Sequence, residues 1–404
     1  MLTALETIGR RLPGQGIVDS FRMECRKQQN YDVHLIEGLL SPEYSVLPAM
    51  LQERKALVVT TPTVYGHYGE LLSGLIRNRG LNMQVVVLPD GETNKTLRSV
   101  ERICAAALEY KLDRRSLLIG LGGGVCTDVV AMAASAIRRG IDHLRIPTTL
   151  IGLIDAGIGL KGGVNLGNKK NYFGCFNPPT HALLDRSFLE TLPASFLRHG
   201  MAEILKMAPV ADRHLFELCE SYQTALIKSK FGVPEEVSRE IIWRSSRLML
   251  EELQKNPYES HTYQRLVDMG HAFSPALEAT TDFRLHHGEA VAIDMALTVT
   301  LAESLGFMRT DERNRFIAAL VQAGRPAFPF CAPELTVELC EAALDEVVYH
   351  RGGSINFPMP VEISRCVFLE KRDGLPSSVI GAALQRLSRE ASRQGCGALF
   401  DERS

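Results

Sequence analysis

Four side chains, drawn from three separate stretches of a 404-residue chain, have the types needed for metal-assisted proton chemistry. Glu203 and Lys206 stand three apart in the run Gly-Met-Ala-Glu-Ile-Leu-Lys at 200–206, so a helix puts both on one face. They interrupt an apolar stretch at 201–209, where solvated charges are out of place. His271 follows Gly270 within a helical pattern over 263–280. His287 precedes Gly288-Glu289-Ala290-Val291-Ala292, which reads as a helix start. One carboxylate and two imidazoles, with coordination positions left open, form a common ligand set for catalytic zinc. His286 competes with its neighbour for the role, and the spacing is not the compact H-E-x-x-H, so each histidine also fits a structural role.

A second group of residues has the types that hold phosphates. Gly120-Leu121-Gly122-Gly123-Gly124-Val125 follows a predicted strand and opens a predicted helix. Glycines there let the backbone approach a pyrophosphate, and the helix start presents N–H groups to it. Val125 occupies the position of the third glycine in G-x-G-x-x-G, and a ligand-free strand–helix turn would look similar. Pro89-Asp90-Gly91-Glu92-Thr93-Asn94-Lys95-Thr96 lies just past another strand. Its carboxylates suit ribose hydroxyls and Lys95 suits a phosphate, although an Asp-Gly turn with a helix cap reads the same way. Pro147-Thr148-Thr149 adds two hydroxyls at the same sheet edge. The glycine-rich run 154–165 carries Asp155 and Lys161, and Lys170-Asn171 follows. Lys161, Lys170 and Asn171 suit a phosphate group; composition alone favours a flexible surface loop with solvated lysines.

The elements around these residues change character along the chain. Short β-rich runs at 56–60, 84–88, 116–120, 143–146 and 181–185 alternate with helical patterns at 64–78, 96–110 and 125–138. That rhythm predicts a mostly parallel, Rossmann-like α/β sheet. After Pro193 helical patterns dominate, at 195–208, 212–228, 236–255, 263–280, 288–306 and 310–324, and only 366–369 reads as a strand. The expected organisation is a nucleotide-binding α/β domain over 1–190 and a helical domain over 191–404 that carries the candidate metal ligands, with the ligand site between them.

Composition excludes several classes. The 45 basic and 47 acidic residues leave a net charge of −2, which argues against broad electrostatic binding of nucleic acid or membrane. Nine scattered cysteines without a C-x-x-C fit neither a disulfide framework nor a cysteine zinc site, and point to a reducing, cytoplasmic setting. Residues 1–16 do not read as a signal peptide. The apolar stretch 117–137 contains Asp128 and four glycines and reads as a buried strand and helix.

Taken together and in order, PDGETNKT, GGGVCTD, RIPTTL, IDAGIGLKGGVN, KKNYFG, GMAEILK, GHAFSPALE and HGEAVA resemble the sugar phosphate cyclases, the family of dehydroquinate synthase. The resemblance runs from about residue 56 to 350. It implies a homodimer that binds NAD, a divalent metal (zinc or cobalt) and a sugar phosphate. It implies Glu203, His271 and His287 as metal ligands, which selects His287 over His286. Glu92, Lys95, Gly122, Gly123, Asp128, Thr148 and Thr149 are the implied NAD contacts. Asp155, Lys161, Lys170, Asn171 and Lys206 are the implied substrate residues, and Arg139 matches an arginine lent across the dimer interface.

Departures from the dehydroquinate synthase pattern bear on the substrate. Gly270-His271-Ala272-Phe273-Ser274-Pro275 puts Pro275 where that enzyme has a second histidine. Gln264-Arg265-Leu266-Val267-Asp268 displaces an arginine by one position and puts Asp268 in place of an asparagine. Tyr349-His350-Arg351-Gly352-Gly353 replaces a lysine-rich motif, and His350 is a further candidate for the pocket lining. Losing cationic groups and adding Asp268 suits a neutral polyol in place of a carboxylate substrate. The replacements are similar to the branch that cyclises sedoheptulose 7-phosphate to 2-epi-5-epi-valiolone, a reaction of cyclitol natural-product biosynthesis. Dehydroquinate synthase chemistry, another cyclisation of sedoheptulose 7-phosphate, and a plain NAD- and metal-dependent polyol dehydrogenase are the alternatives.

Overall fold

The computed structural model describes residues 23–25, 29–41, 46–51, 53–167, 169–324 and 332–393. The elements of the first half are β1 (Asp32–Ile36), α1 (Val46–Leu51), β2 (Ala56–Thr60), α2 (Pro62–Arg79), β3 (Met83–Val87), α3 (Leu97–Glu109), β4 (Leu117–Gly122), α4 (Gly124–Ala136), β5 (Asp142–Pro147), β6 (Lys161–Leu166), β7 (Lys169–Phe176) and β8 (His181–Asp185). Six of the strands form one parallel sheet in the order β1-β8-β5-β4-β2-β3. Its central strands are buried on both faces, as parallel strands covered by helices must be. Leu72 and Leu75 of α2 pack against one face. Ile103 of α3 and Val129 and Val130 of α4 pack against the other.

Strand order determines where a ligand fits. The chain leaves β2 toward β3 on one side, and leaves β4 toward β5 on the other. The crevice at the C-terminal ends of β2 and β4 is therefore a topological switch point, the usual ligand position in such sheets. Gly122 ends β4 there, and α4 begins at Gly124.

The rest of the chain is mostly helical: α5 (Ala194–Ala211), α6 (Arg213–Lys228), α7 (Glu235–Lys255), α8 (Ser274–Thr280), α9 (His287–Ser304), α10 (Thr310–Gly324) and α11 (Val337–His350), then β9 (Phe357–Glu362), β10 (Arg365–Leu369) and α12 (Ser377–Arg393). The apolar pattern of α9 runs all round the helix, and nearly every residue of it is buried. One apolar core joins α5, α9 and α10 to Leu150, Leu153 and Ile154 beside the sheet.

Three sequence expectations are corrected. The helical pattern over 263–280 is broken: only α8 and a single turn at Leu266–Asp268 are helical. Gly270 takes φ +73°, and a Cβ there would stand 2.8 Å from Met295, so the chain turns sharply against α9 just before His271. Asp294 of α9 holds the turn by accepting the Phe273 and Ser274 N–H groups at 2.6 and 2.8 Å. The glycine-rich segment at 161–176 is a paired antiparallel hairpin, β6–β7. Strands also return late, as the β9–β10 hairpin.

Cys331, Cys396 and residues 1–16 lie outside the described residues, whose seven cysteines are all free thiols. No described helix is long and apolar enough to cross a membrane.

Candidate active site

Helix α5 carries Glu203 and Lys206 into the core because apolar residues occupy most of its other positions. Glu203 is fully buried and Lys206 is 2% exposed. The turn after Gly270 brings in His271, and the first residue of α9 brings in His287. One donor atom from each of Glu203, His271 and His287 lies within 4.8 Å of the others. His287 Nε2 is 3.1 Å from Glu203 Oε1, and Lys206 Nζ is 2.7 Å from Oε2. Neither approach has hydrogen-bond alignment, so both buried carboxylate oxygens lack a directional partner. Unpartnered acceptors beside two imidazoles fit a divalent cation. His286 instead caps α9, where Glu289 closes a capping box with its backbone N–H at 2.9 Å.

Each ligand is oriented by a neighbour. His271 Nδ1 lies 3.2 Å from the Met269 carbonyl. His287 Nδ1 lies 2.8 Å from Glu278 Oε1, and the other Glu278 oxygen accepts from Lys170 Nζ at 2.6 Å. Lys206 also reaches Asp155 Oδ2 at 3.3 Å. Asp155 sits on a single wide helical turn, Gly152–Ala156. Arg145, itself fully buried, donates to the Ala156 and Lys161 carbonyls at 2.8 Å and so fixes the backbone beside both residues.

The charges of the cluster are interdependent. Burial opposes the Glu203 carboxylate, but Lys206 and the two imidazoles outweigh it and hold the group well below the usual carboxylate range. Burial, with Lys206 next, brings His271 down to about 4 and keeps it neutral, as a metal ligand must be. His287 is opposed by burial but raised to about 9 by Glu278 and Glu203. Burial would raise Glu278, yet His287 and Lys170 bring it to about 2. Lys206 is desolvated, but Glu203 and Asp155 keep it raised and protonated.

The sheet edge holds a second network. A Cβ on Gly122 would meet Cys126 at 2.8 Å, and one on Gly123 would meet Thr149 at 3.1 Å, so the glycines are required for the turn to close against α4 and Thr149. Thr148 donates its N–H to the Gly122 carbonyl at 3.0 Å. This bare turn at the start of a 13-residue helix, placed at the switch point, fits a dinucleotide pyrophosphate. Lys95 is buried, pairs with Asp128 at 2.6 Å and donates to Asn171. Glu92 Oε1 accepts from Asn165 at 3.0 Å, and Asn165 Oδ1 accepts the Asn171 N–H at 2.9 Å. The Glu92, Lys95 and Asp128 expected at NAD are thus tied to the Asn171 expected at the substrate.

Several other expected residues have side-chain partners of their own, although the Asp268 carbonyl accepts the His271 N–H at 3.1 Å. Lys161 is half-exposed and pairs with Glu259, which also binds Arg265. Asp268 Oδ2 accepts from Arg351 at 2.7 Å. His350 meets Tyr263 edge-on at 6.3 Å. Pro275 lies in the first turn of α8, where its missing N–H costs no helical bond. Arg139 is exposed at the far end of α4, about 20 Å along the axis from the glycine turn. Within one chain it does not reach the site.

Glu278, Arg145 and Arg351 are absent from the residues singled out by sequence as site groups. The one available signal was an unpaired type: an acid in the short apolar run Pro-Ala-Leu-Glu-Ala, and an arginine inside a β-rich run.

Comparison with known proteins shows the family. Residues 85–199 match the 3-dehydroquinate synthase N-terminal family model, and residues 200–344 match its C-terminal counterpart. The chain belongs to the 3-dehydroquinate synthase family. Within it, the chain is 39% identical over 364 residues to a 2-epi-5-epi-valiolone synthase of Streptomyces glaucescens, covering 89% of this chain and 92% of the relative. It is 35% identical over 339 residues to a 3-dehydroquinate synthase of a Synechococcus species, covering 83% and 89%. Among solved structures it resembles ValA, a 2-epi-5-epi-valiolone synthase from Streptomyces hygroscopicus with NAD+ and Zn2+ bound. That match has a TM-score of 0.85 and 37% identity over 91% of this chain and 99% of the other. A glycerol dehydrogenase from Schizosaccharomyces pombe, at 15% identity and TM-score 0.64 over 93% and 95%, shares the fold.

Proposed function

We propose that the protein is a sugar phosphate cyclase that converts sedoheptulose 7-phosphate to 2-epi-5-epi-valiolone and inorganic phosphate. The sequence of changes is transient oxidation of a ring carbinol, β-elimination of phosphate, return of the hydride, ring opening and intramolecular aldol closure. The observation that carries the reading is the buried convergence of Glu203, His271 and His287 within 4.8 Å, with Lys206 against the carboxylate. Its likeness to 2-epi-5-epi-valiolone synthases supports the choice of substrate.

Glu203, His271 and His287 would hold the zinc or cobalt ion, and Glu92, Gly122, Gly123, Thr148 and Thr149 would hold NAD, with Lys95 and Asp128 bracing that edge. When bound, NAD supplies a reversible hydride acceptor and the metal a Lewis acid. Lys206, kept protonated between Glu203 and Asp155, stabilises negative charge on a substrate oxygen and does not serve as a base. Asp155 accepts a hydrogen bond from that ammonium and orients it. Lys170 and Lys161 neutralise the phosphate as it leaves and Asn171 donates a hydrogen bond to it, with phosphate displacing Glu259 from Lys161 and Arg265. Asp268, fixed by Arg351, presents acceptor lone pairs to substrate hydroxyls.

The reading includes a cytoplasmic homodimer in which Arg139 of one protomer completes the phosphate site of the other, and a division near residue 190 between NAD-binding and metal-binding halves.

A side-by-side assay tests it. Sedoheptulose 7-phosphate should yield phosphate and a cyclitol with no net NADH, and the seven-carbon acid phosphate used by dehydroquinate synthases should not turn over. Turnover of the acid phosphate alone would assign the alternative substrate. Stoichiometric NADH would assign a dehydrogenase.

A further inference from the structure

The sheet carries another cluster of ligand-type side chains, at the edge opposite the nucleotide crevice. Strands β1 and β8 pair in parallel with Asp32 opposite His181 and His34 opposite Leu183. Side chains two apart on a strand share a face, so Asp32, His34 and His181 project together. Asp32 and His181 are the first residues of their strands, whereas Gly122 closes its strand at the other end. The cluster is therefore separate from the proposed active site.

The donor atoms are already close. His34 Nε2 lies 3.3 Å from His181 Nδ1, and Asp32 Oδ2 lies 3.9 Å from the same nitrogen. One donor atom from each residue falls within 4.8 Å of the others. Ligand atoms on a tetrahedral zinc ion, bound at 2.0–2.1 Å, stand roughly 3.4 Å apart. The two imidazoles meet that separation, and the exposed Asp32 side chain can close the remaining gap. A single shared proton would join the two rings and leave the carboxylate outside; a divalent cation engages all three groups. Strand β1 is also an edge of the sheet, where a cross-strand tie has mechanical value.

We propose that Asp32, His34 and His181 form a second, non-catalytic metal site that takes zinc or a similar borderline divalent ion and fastens the edge strand β1 to β8. An ion bound only by the folded protein stabilises it by mass action.

Metal-stripped full-length protein, dialysed against graded Zn2+, tests this by metal content per chain. The wild type should bind two ions, the second more weakly, and the second should raise the melting temperature. His34→Ala and His181→Ala should each bind one ion and lose the second increment, with cyclase turnover unchanged. Retained turnover also certifies the fold. Should either alanine variant lose turnover, Asp32→Asn, which keeps both rings, should weaken the second ion by about tenfold or more and leave the first intact. One ion per chain in the wild type, or a second ion retained at full affinity in these variants, overturns the proposal.

Discussion

Two clusters in this chain are built from two imidazoles and one carboxylate, and each brings its donor atoms within 4.8 Å. They differ in their surroundings. Glu203 is fully buried between Lys206 and His287; His287 is held in turn by Glu278, and Glu278 by Lys170. Asp32 is mostly exposed, and His34 and His181 have each other as their main polar partner. Burial makes every charge in the first cluster depend on its neighbours, because an unpaired ion there costs several kcal/mol. The same ligand types at the sheet edge are partly solvated and answer mainly to one another: burial and then His34 lower the His181 pKa, and Asp32 opposes them. The contrast teaches that ligand identity alone does not define a catalytic centre; the interlocked second layer of side chains does.

The largest effect expected from breaking the buried cluster is that of Glu203→Ala. Removing one of three ligands should lower turnover on the order of 10³-fold, the scale of several kcal/mol of lost charge stabilisation. Circular dichroism should show the fold retained. Next, Lys206→Ala should reduce turnover by on the order of 10²-fold, the scale of losing one charge-stabilising donor. It should also lower stability, since a buried carboxylate loses its counter-ion; a melting curve and a kcat measurement on one sample separate the two effects. Glu278→Gln keeps the shape but removes the charge behind His287, and should weaken metal affinity by about 10–100-fold. Metal titration checks this, and unchanged affinity would remove Glu278 from the second layer. By contrast His34→Ala should leave turnover untouched.

A smaller effect concerns pH. Burial raises Asp294 to about 6 despite the N–H groups it accepts from Phe273 and Ser274. A carboxyl raised on folding favours the native state while protonated. Its contribution is therefore fully present below about pH 4 and is lost as pH rises through 6, on the order of 3 kcal/mol in all. Asp294→Asn keeps the acceptor oxygen and removes the titration. Relative to wild type, the variant should gain stability between pH 4 and 6, read as denaturation midpoints across that range.

Much of this architecture was legible in the sequence. The β-rich runs and intervening helical patterns marked five of the six strands of the sheet, all but the edge strand β1, and most clearly β2 and β4, because buried parallel strands are continuously apolar. The glycines from the end of β4 marked the turn because a Cβ on Gly122 would stand 2.8 Å from Cys126 and those on Gly123 and Gly124 would be crowded by Thr149 and Ala156. The β6–β7 hairpin was hidden by the same residue type. Gly162 lies so near α4 that a Cβ would stand 2.6 Å from Ala131, so close packing put glycine where strand propensity would put valine. The turn holding His271 was hidden because its stability comes from Asp294, over twenty residues away on α9. Glu278 was invisible for a similar reason: its partners, His287 and Lys170, are distant or on another element. Pattern reading recovers local periodicity and ligand types, whereas the second layer exists only through tertiary contacts.

The most direct test of the central claim is a metal titration read by chemistry. Metal-free protein with NAD and sedoheptulose 7-phosphate receives increasing Zn2+ while phosphate release is followed. The account predicts no release without metal, a linear rise to a plateau at one catalytic equivalent per chain, no accumulation of NADH, and a flat response from Glu203→Ala. Full turnover in the metal-free protein, or a normal titration by Glu203→Ala, would contradict it.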